Sequence, residues 1–364
     1  MLKLATAFSG IGAIEHALKR MRVKYALLFA CDSDPYVKKS FFANHEVNGT
    51  KWFDLVQNVD GKKFRGKVDL FVAGTPCQSF SMIGKRRGLK DARGTLFYEF
   101  ARLVDEIKPK AFIFENVKGL LSHDSGRTWD VIENSFKELG YAYYPKILNA
   151  KDYGIPQNRE RLFVVGFRKN RDFQFPDPIP LKITMQDLLE DSADTKYYLP
   201  NKGVKFVTNL KNLKKKYTQI NGKVALCQKA NQQFNWHGDF VFEPAGRVEE
   251  KYFLSDKVAK YVLASGTKNF YSKPKTDLAV ARPLLATMAK MHRAGVDNYI
   301  TRGGRIRKLT PRECLRLMGF DDTFKIVVPD TQMYKQAGNS IVADVLMHIL
   351  HSMGVRNGAR KIHL

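Results

Sequence analysis

Residues 2–21 read LKLATAFSGIGAIEHALKRM, and the fold follows from how that stretch divides. Leu2–Phe8 is apolar except for Lys3 and Thr6, the composition of a buried strand. Gly12–Met21 places Ile14, Ala17, Leu18 and Met21 at helical spacing. Between them, Phe8-Ser-Gly-Ile-Gly-Ala13 sets two glycines where strand hands over to helix. The backbone there turns tightly, and amides at the helix N-terminus can meet a ligand. The alternation recurs downstream. Ala26–Cys31, Val68–Ala73, Ala111–Glu115 and Leu162–Phe167 read as buried strands, and Leu96–Ile107 as a helix carrying Phe97, Phe100, Ala101 and Val104 inward. Strand and helix in alternation imply an α/β sheet of parallel strands joined by right-handed crossovers.

The pattern stops at Phe173-Gln-Phe-Pro-Asp-Pro-Ile-Pro180, where three prolines preclude continuous helix or central strand. Periodicity stays weak to about residue 300, so this part reads as a second domain or large insertion. Residues 201–238 carry eight lysines and no acid, interleaved with Phe206, Tyr217, Phe234 and Trp236. Helix returns at 310–318, with Thr310 as N-cap, Pro311 in the first helical position and Glu313 in the third, a capping box. A last amphipathic helix runs through Ile341, Val345, Leu346, Ile349 and Leu350.

The whole chain has 61 Lys+Arg against 36 Asp+Glu, a surplus of +25. Such an excess repels itself in a compact fold and points to a polyanionic partner, with a solubility or host-composition effect as the plainer reading. Hydrophobic residues make up 44%, which excludes a disordered chain. Cys31, Cys77, Cys227 and Cys314 stand far apart, without the spacing of a zinc site or a disulfide framework. No apolar stretch is long enough for a signal peptide or a membrane span, so a cytoplasmic protein with reduced thiols is expected.

Several strand ends carry chemistry-bearing residues. Asp32 follows the second strand, about 20 residues after the glycines, where an acid can bond ribose hydroxyls or simply cap a helix. Cys77 lies in Gly74-Thr-Pro-Cys-Gln-Ser-Phe-Ser81, just past Val68–Ala73. Lone cysteines are more often small buried hydrophobes than nucleophiles. Here Pro76 fixes the neighbouring backbone and the basic Gly84-Lys-Arg-Arg-Gly88 follows, which favours the thiolate. Glu115 closes the apolar KAFIFEN strand, either as a cap or as an acid whose pKa burial would raise. Gln157, Arg159 and Arg161 precede the next strand; if extended, the two arginines share one face, with surface salt bridging as the plainer role.

Taken in order, FSGIG, GTPCQSFS, FENV, QNRER, RKLTPRECLRLMGF (residues 307–320) and YKQAGNS (residues 334–340) make the chain similar to the bacterial DNA (cytosine-5) methyltransferases of restriction–modification systems. Only about residues 175–300 fall outside the resemblance, where this family varies to set its recognition sequence. The resemblance implies a Rossmann-like S-adenosylmethionine-dependent fold with a mostly parallel sheet and a smaller target-recognition domain. Its divisions would be 1–185 (catalytic and cofactor-binding), 186–330 (target recognition and hinge) and 331–364 (returning to the catalytic domain).

It also implies roles. Phe8, Ser9, Gly10 and Gly12 would cradle the methionine part of S-adenosylmethionine, and Asp32 would bind its ribose. Ala13 stands where the family often has another glycine. The adenine contact falls to Asp54, with Asn58 as the alternative. Pro76, Leu96, Asn339 and Ser340 would close the pocket, and S-adenosylhomocysteine would leave it as product, with no metal involved. Cys77 would add to carbon 6 of the base, Glu115 would neutralise charge on the ring, and Arg161 would bond the exocyclic oxygen, with Gln157 and Arg159 organising the pocket. Ser81, Lys85, Arg86 and Arg87 would lie on a loop closing over DNA, and Thr287, in Ala286-Thr-Met288, in the recognition region.

The implied partner is double-stranded DNA, read by a monomer, with a restriction endonuclease of the same site as companion. The rival readings are a tRNA cytosine-5 methyltransferase of the same fold, a nucleotide-dependent oxidoreductase and a catalytically inactive DNA-binding protein. The roughly 145 residues of 186–330 favour DNA over tRNA. An oxidoreductase leaves Cys77, Glu115 and the arginines unexplained.

Overall fold

The structure is a computed structural model. It describes residues 1–47, 49–76, 96–191, 278–284 and 309–357, and the backbone alone of 218–220, 238–240, 299–302 and 305–308. The chain forms two compact units, one of residues 1–149, 160–178 and 341–364, the other of residues 150–159 and 179–340.

The first unit is built on a seven-stranded sheet. Its strands are β1 (Leu2–Ala7), β2 (Tyr25–Cys31), β3 (Trp52–Phe53), β4 (Leu70–Gly74), β5 (Ala111–Val117), β6 (Ala142–Asn149) and β7 (Glu160–Phe167), in the order β3-β2-β1-β4-β5-β7-β6. The five strands from β3 to β5 are parallel, as the alternation of strand and helix predicts. Helices α1 (Ala13–Arg20), α2 (Pro35–Asn44), α3 (Leu96–Ile107) and α4 (Arg127–Glu138) alternate with strands along this unit.

The parallel pattern fails at β7, which pairs antiparallel with both β5 and β6. Residues 150–159 join β6 directly to β7, and so short a link suits an antiparallel return better than a crossover helix. Sequence patterning misses β6 because its burial is largely intermediate and it contains Pro145, tolerated on an edge strand whose outer side needs no partner.

Helix α3 has the boundaries read from the sequence. Its apolar face is buried, while Arg102 on the other side bridges Glu99 and Glu106 and donates to the carbonyls of Val56 and Val59. Phe97, Phe100, Phe112, Phe114 and Phe136 pack edge-on, tilted and stacked beneath it. Each such buried ring stabilises the fold by about 1.5–3 kcal/mol. Gly166 lies opposite Phe112 in the β5–β7 register, and a side chain there would stand 2.1 Å from the Phe112 ring.

Residues 331–364 divide at Ser340: helix α7 (Ala343–Ser352) belongs to the first unit and packs on α1, where Arg20 pairs with Asp344 at 2.5 Å.

In the second unit, helix α5 (Pro311–Arg316) carries the capping box read from the sequence. Thr310 accepts from the Glu313 N–H, and Glu313 accepts from the Thr310 N–H at 2.8 Å. Helix α6 spans Asp330–Asn339. Strands β8 (Thr218–Ile220) and β9 (Gly238–Phe240) pair in parallel; β10 (Tyr299–Arg302) and β11 (Arg305–Lys308) pair antiparallel. Among the described residues, no helix is long and apolar enough to cross a membrane.

Candidate active site

The first cluster is the turn between β1 and α1. Phe8, Gly10 and Gly12 all take positive φ (52°, 54° and 82°), which reverses the chain within five residues. The turn is fastened to the end of β2. Ser9 N–H donates to the Cys31 carbonyl (2.9 Å), Ser9 Oγ both donates to that carbonyl and accepts from Cys31 N–H, and Gly10 N–H donates to Asp32 Oδ2 (2.9 Å).

The two glycines serve different ends. A side chain on Gly12 would stand 2.2 Å from His45 Nε2, whereas nothing lies within 4 Å of where one on Gly10 would point. His45 fills the space Gly12 leaves, with Nε2 2.9 Å from the Ile11 carbonyl. Burial pushes this imidazole down to about 4, against the opposing pull of the Ile11 carbonyl, so it is neutral at pH 7 and donates there.

Asp32 is not the cap of α2. That role belongs to Asp34, which accepts from the N–H groups of Tyr36 and Val37. Asp32 instead accepts from Gly10 and Asp34 N–H, joining the ends of β1 and β2. Beyond β3, Asp54 is exposed and bonds Lys38 Nζ and Trp52 Nε1, each at 2.9 Å. Lys38, then Trp52, hold its carboxyl below the usual range. Cys31 is no nucleophile: burial first, then Asp32 and Asp54, push its thiol up to about 12.

The second cluster lies at the carboxyl ends of β4 and β5. Gly74 pairs with Glu115, and a side chain on Gly74 would come within 3.2 Å of Glu115 Oε2. Val117 lies opposite Arg161, so Glu115 and Arg161 are diagonal neighbours on one face, with Arg161 Nε 3.3 Å from Glu115 Oε1. Both side chains are mostly buried. Asn116 points the other way and donates to the Thr75 carbonyl (2.8 Å) and hydroxyl (3.0 Å), pinning the backbone two residues before Cys77. Sequence reasoning passed over Asn116. Its signal was there, an amide interrupting an apolar strand end.

The two arginines part company. Arg161 is the second residue of β7 and meets Glu115, while Arg159 precedes the strand and donates through Nη2 to the carbonyls of Gly338 and Ser340, both at 3.0 Å. Because the strand begins only at Glu160, alternation along it does not apply to Arg159. Within the same second unit, Gln157 Nε2 donates to the Leu317 carbonyl (2.8 Å), and its Oε1 accepts from Leu284 N–H. Gln157 and Arg159 thus brace the second unit internally. Of the remaining predicted residues, Pro76 and Asn339 are exposed, Ser340 is buried as the C-cap of α6, and Leu96 opens α3. Cys77, Ser81, Lys85, Arg86, Arg87 and Thr287 lie outside the described residues.

Comparison with known proteins gives the family and the fold. Residues 2–355 match the family described as C-5 cytosine-specific DNA methylase. The orphan methyltransferase M.SPRI of Bacillus phage SPR is 32% identical, with 97% of each chain covered. The type II methyltransferase M.HhaI of Haemophilus parahaemolyticus is also 32% identical, over 97% of this chain and 94% of its own. Among solved structures, a Spodoptera frugiperda DNMT2 mutant superposes with a TM-score of 0.64 at 17% identity, covering 97% of this chain and 99% of that one.

Proposed function

The chain belongs to the C-5 cytosine-specific DNA methylases, and from that membership we propose how its residues divide the work. The reaction is sequence-specific transfer of a methyl group from S-adenosylmethionine to carbon 5 of cytosine in DNA. The donor supplies an electrophilic methyl group on a sulfonium. The turn suits such a molecule: Gly10 borders open space, and the Asp32 carboxylate beside it matches a ribose diol. Phe8, Ser9, Gly10 and Gly12 hold the methionine part and Asp32 the ribose, with Asp54 at the adenine. Pro76 and Leu96 border the same pocket.

The observation that carries the catalytic assignment is the Glu115–Arg161 pair beside Gly74, with Asn116 holding Thr75. Cytosine carbon 5 is a poor nucleophile, so the ring must first be activated. Cys77 Sγ adds to carbon 6, and Glu115 exchanges a proton with ring nitrogen 3 as electron density moves to carbon 5. Arg161 donates to the exocyclic oxygen and keeps the Glu115 carboxyl oriented. Carbon 5 then takes the methyl group, its proton passes to water, and Cys77 is expelled as thiolate. Gln157 and Arg159 act at a distance by bracing the segment that leads into β7. No metal enters this chemistry.

The target nucleotide leaves the duplex, at a cost of a few kcal/mol. Ser81, Lys85, Arg86 and Arg87 close over it, and residues 186–330, with Thr287, read the sequence while residues 1–185 and 331–364 carry the chemistry. The protein acts as a cytoplasmic monomer beside an endonuclease of the same site. Transfer of labelled methyl groups to duplex DNA and to tRNA tests the substrate. Label in DNA that bisulfite sequencing places at one cytosine of a fixed site is the expected result; label confined to tRNA overturns it. Cys77→Ser with undiminished transfer overturns the covalent route.

A further inference from the structure

Glu15, in the first turn of α1, is fully buried, and its Oε2 has no hydrogen-bond partner. Its Oε1 lies 3.3 Å from Thr6 Oγ1, which lies 2.7 Å from Ser9 Oγ, which in turn lies 3.1 Å from the Cys31 carbonyl. Each hydroxyl has one hydrogen to give, so this chain has two directions. If Glu15 is a neutral acid, it donates to Thr6, Thr6 donates to Ser9, and the Ser9 hydrogen is left for the Cys31 carbonyl or a ligand. If Glu15 is ionised, it takes the Thr6 hydrogen, and Thr6 draws in the Ser9 hydrogen.

We propose that Glu15 is a positioning residue for the methyl donor: as a neutral acid it turns the Thr6–Ser9 chain outward, so that Ser9 donates to the ligand's carboxylate. Burying a carboxylate with one oxygen unpartnered disfavours its charge. Burial pushes Glu15 up to about 7, with smaller opposing effects from its own backbone N–H and Thr6, so both directions are accessible near neutrality. Other titratable groups on the surrounding elements are Lys3 on β1, Tyr25 and Cys31 on β2, and His16, Lys19 and Arg20 on α1. Asp344, His348 and His351 lie on α7, and His45 and Glu46 follow α2. Tyr25 and Cys31 are held protonated, His45 is held neutral, and Arg20 is tied to Asp344.

The inference rests on Ser9 contacting the donor, and the test separates the two. Calorimetric binding of S-adenosylhomocysteine, in buffers of differing ionisation heat, reads the protons taken up. The wild type is expected to take up most of one proton at about pH 8 and almost none at about pH 6. Glu15→Gln, which donates permanently, loses the difference and binds about 3- to 10-fold more tightly than wild type at about pH 8. The ligand's own amine titrates equally with both proteins. Ser9→Ala that binds as wild type overturns the Ser9 reading, and this inference with it. Ser9→Ala that binds weakly yet keeps the proton uptake leaves the Ser9 contact standing but overturns the chain, since the coupling is then through space. Absence of uptake in the wild type overturns it outright.

Discussion

The turn after β1 and the pairing of β5 with β7 are built in opposite ways. The turn is made of backbone: three positive φ angles, amides fastened to β2, and a space at Gly12 that His45 occupies. The β5–β7 site is made of side chains: a diagonal ion pair, an amide pinning Thr75, and a glycine leaving room for a carboxylate. The turn should therefore fail when atoms are added, and the strand pair when charge is removed.

Glu115→Gln breaks the second kind of site and carries the largest expected effect. Gln keeps the shape and still accepts from Arg161, so melting changes little while methyl transfer falls about 10²–10⁴-fold. A large melting shift instead would make Glu115 structural. Gly12→Ala breaks the first kind. The clash with His45 and the φ of 82° should lower unfolding free energy by about 2–4 kcal/mol, read by urea denaturation. If stability is kept, His45 is free to move.

The third prediction concerns pH and the buried carboxyl of Glu15 on α1, linked to the backbone-built turn through Thr6 and Ser9. Burial raises Glu15 from 4.5 to about 7, so the folded state binds the extra proton across that window. The stability from the neutral acid is fully present below about pH 4.5 and falls as pH rises to about 7, by about 3 kcal/mol for this group. Denaturation midpoints from about pH 5 to 8 should fall less steeply in Glu15→Gln; parallel curves would contradict the shift. Gly10→Ala is the smallest change. It meets open space, so only its φ of 54° matters, and a loss of about 1 kcal/mol is expected. A loss as large as that of Gly12→Ala would erase the distinction between the two glycines. If donor binding weakens well beyond the stability change, Gly10 borders the ligand.

Legibility in the sequence follows the same division. Helix α3, the β1 strand and the Thr310 capping box could be read in advance because each depends on residues within a few positions of one another. The reversed direction of β7 and the existence of β6 could not, since Pro145 weakens the strand pattern and strand direction is a property of pairing. The residues around the start of β7 show both cases. Arg159 and Arg161 look alike in QNRER, yet one reaches Gly338 and Ser340 and the other Glu115, because the strand starts between them.

The sequence by itself determined the α/β class, the position of the glycine turn and the family, because glycine placement, hydrophobic period and ordered motifs are local and survive in one dimension. Only the tertiary structure decided that Arg161 faces Glu115, that Asp34 rather than Asp32 caps α2, that His45 occupies the space of Gly12, and that Glu15 is buried against Thr6. Those are meetings of residues distant along the chain or chosen by helix and strand phase. Their energies depend on register, desolvation and close packing, which exist only once the chain has folded.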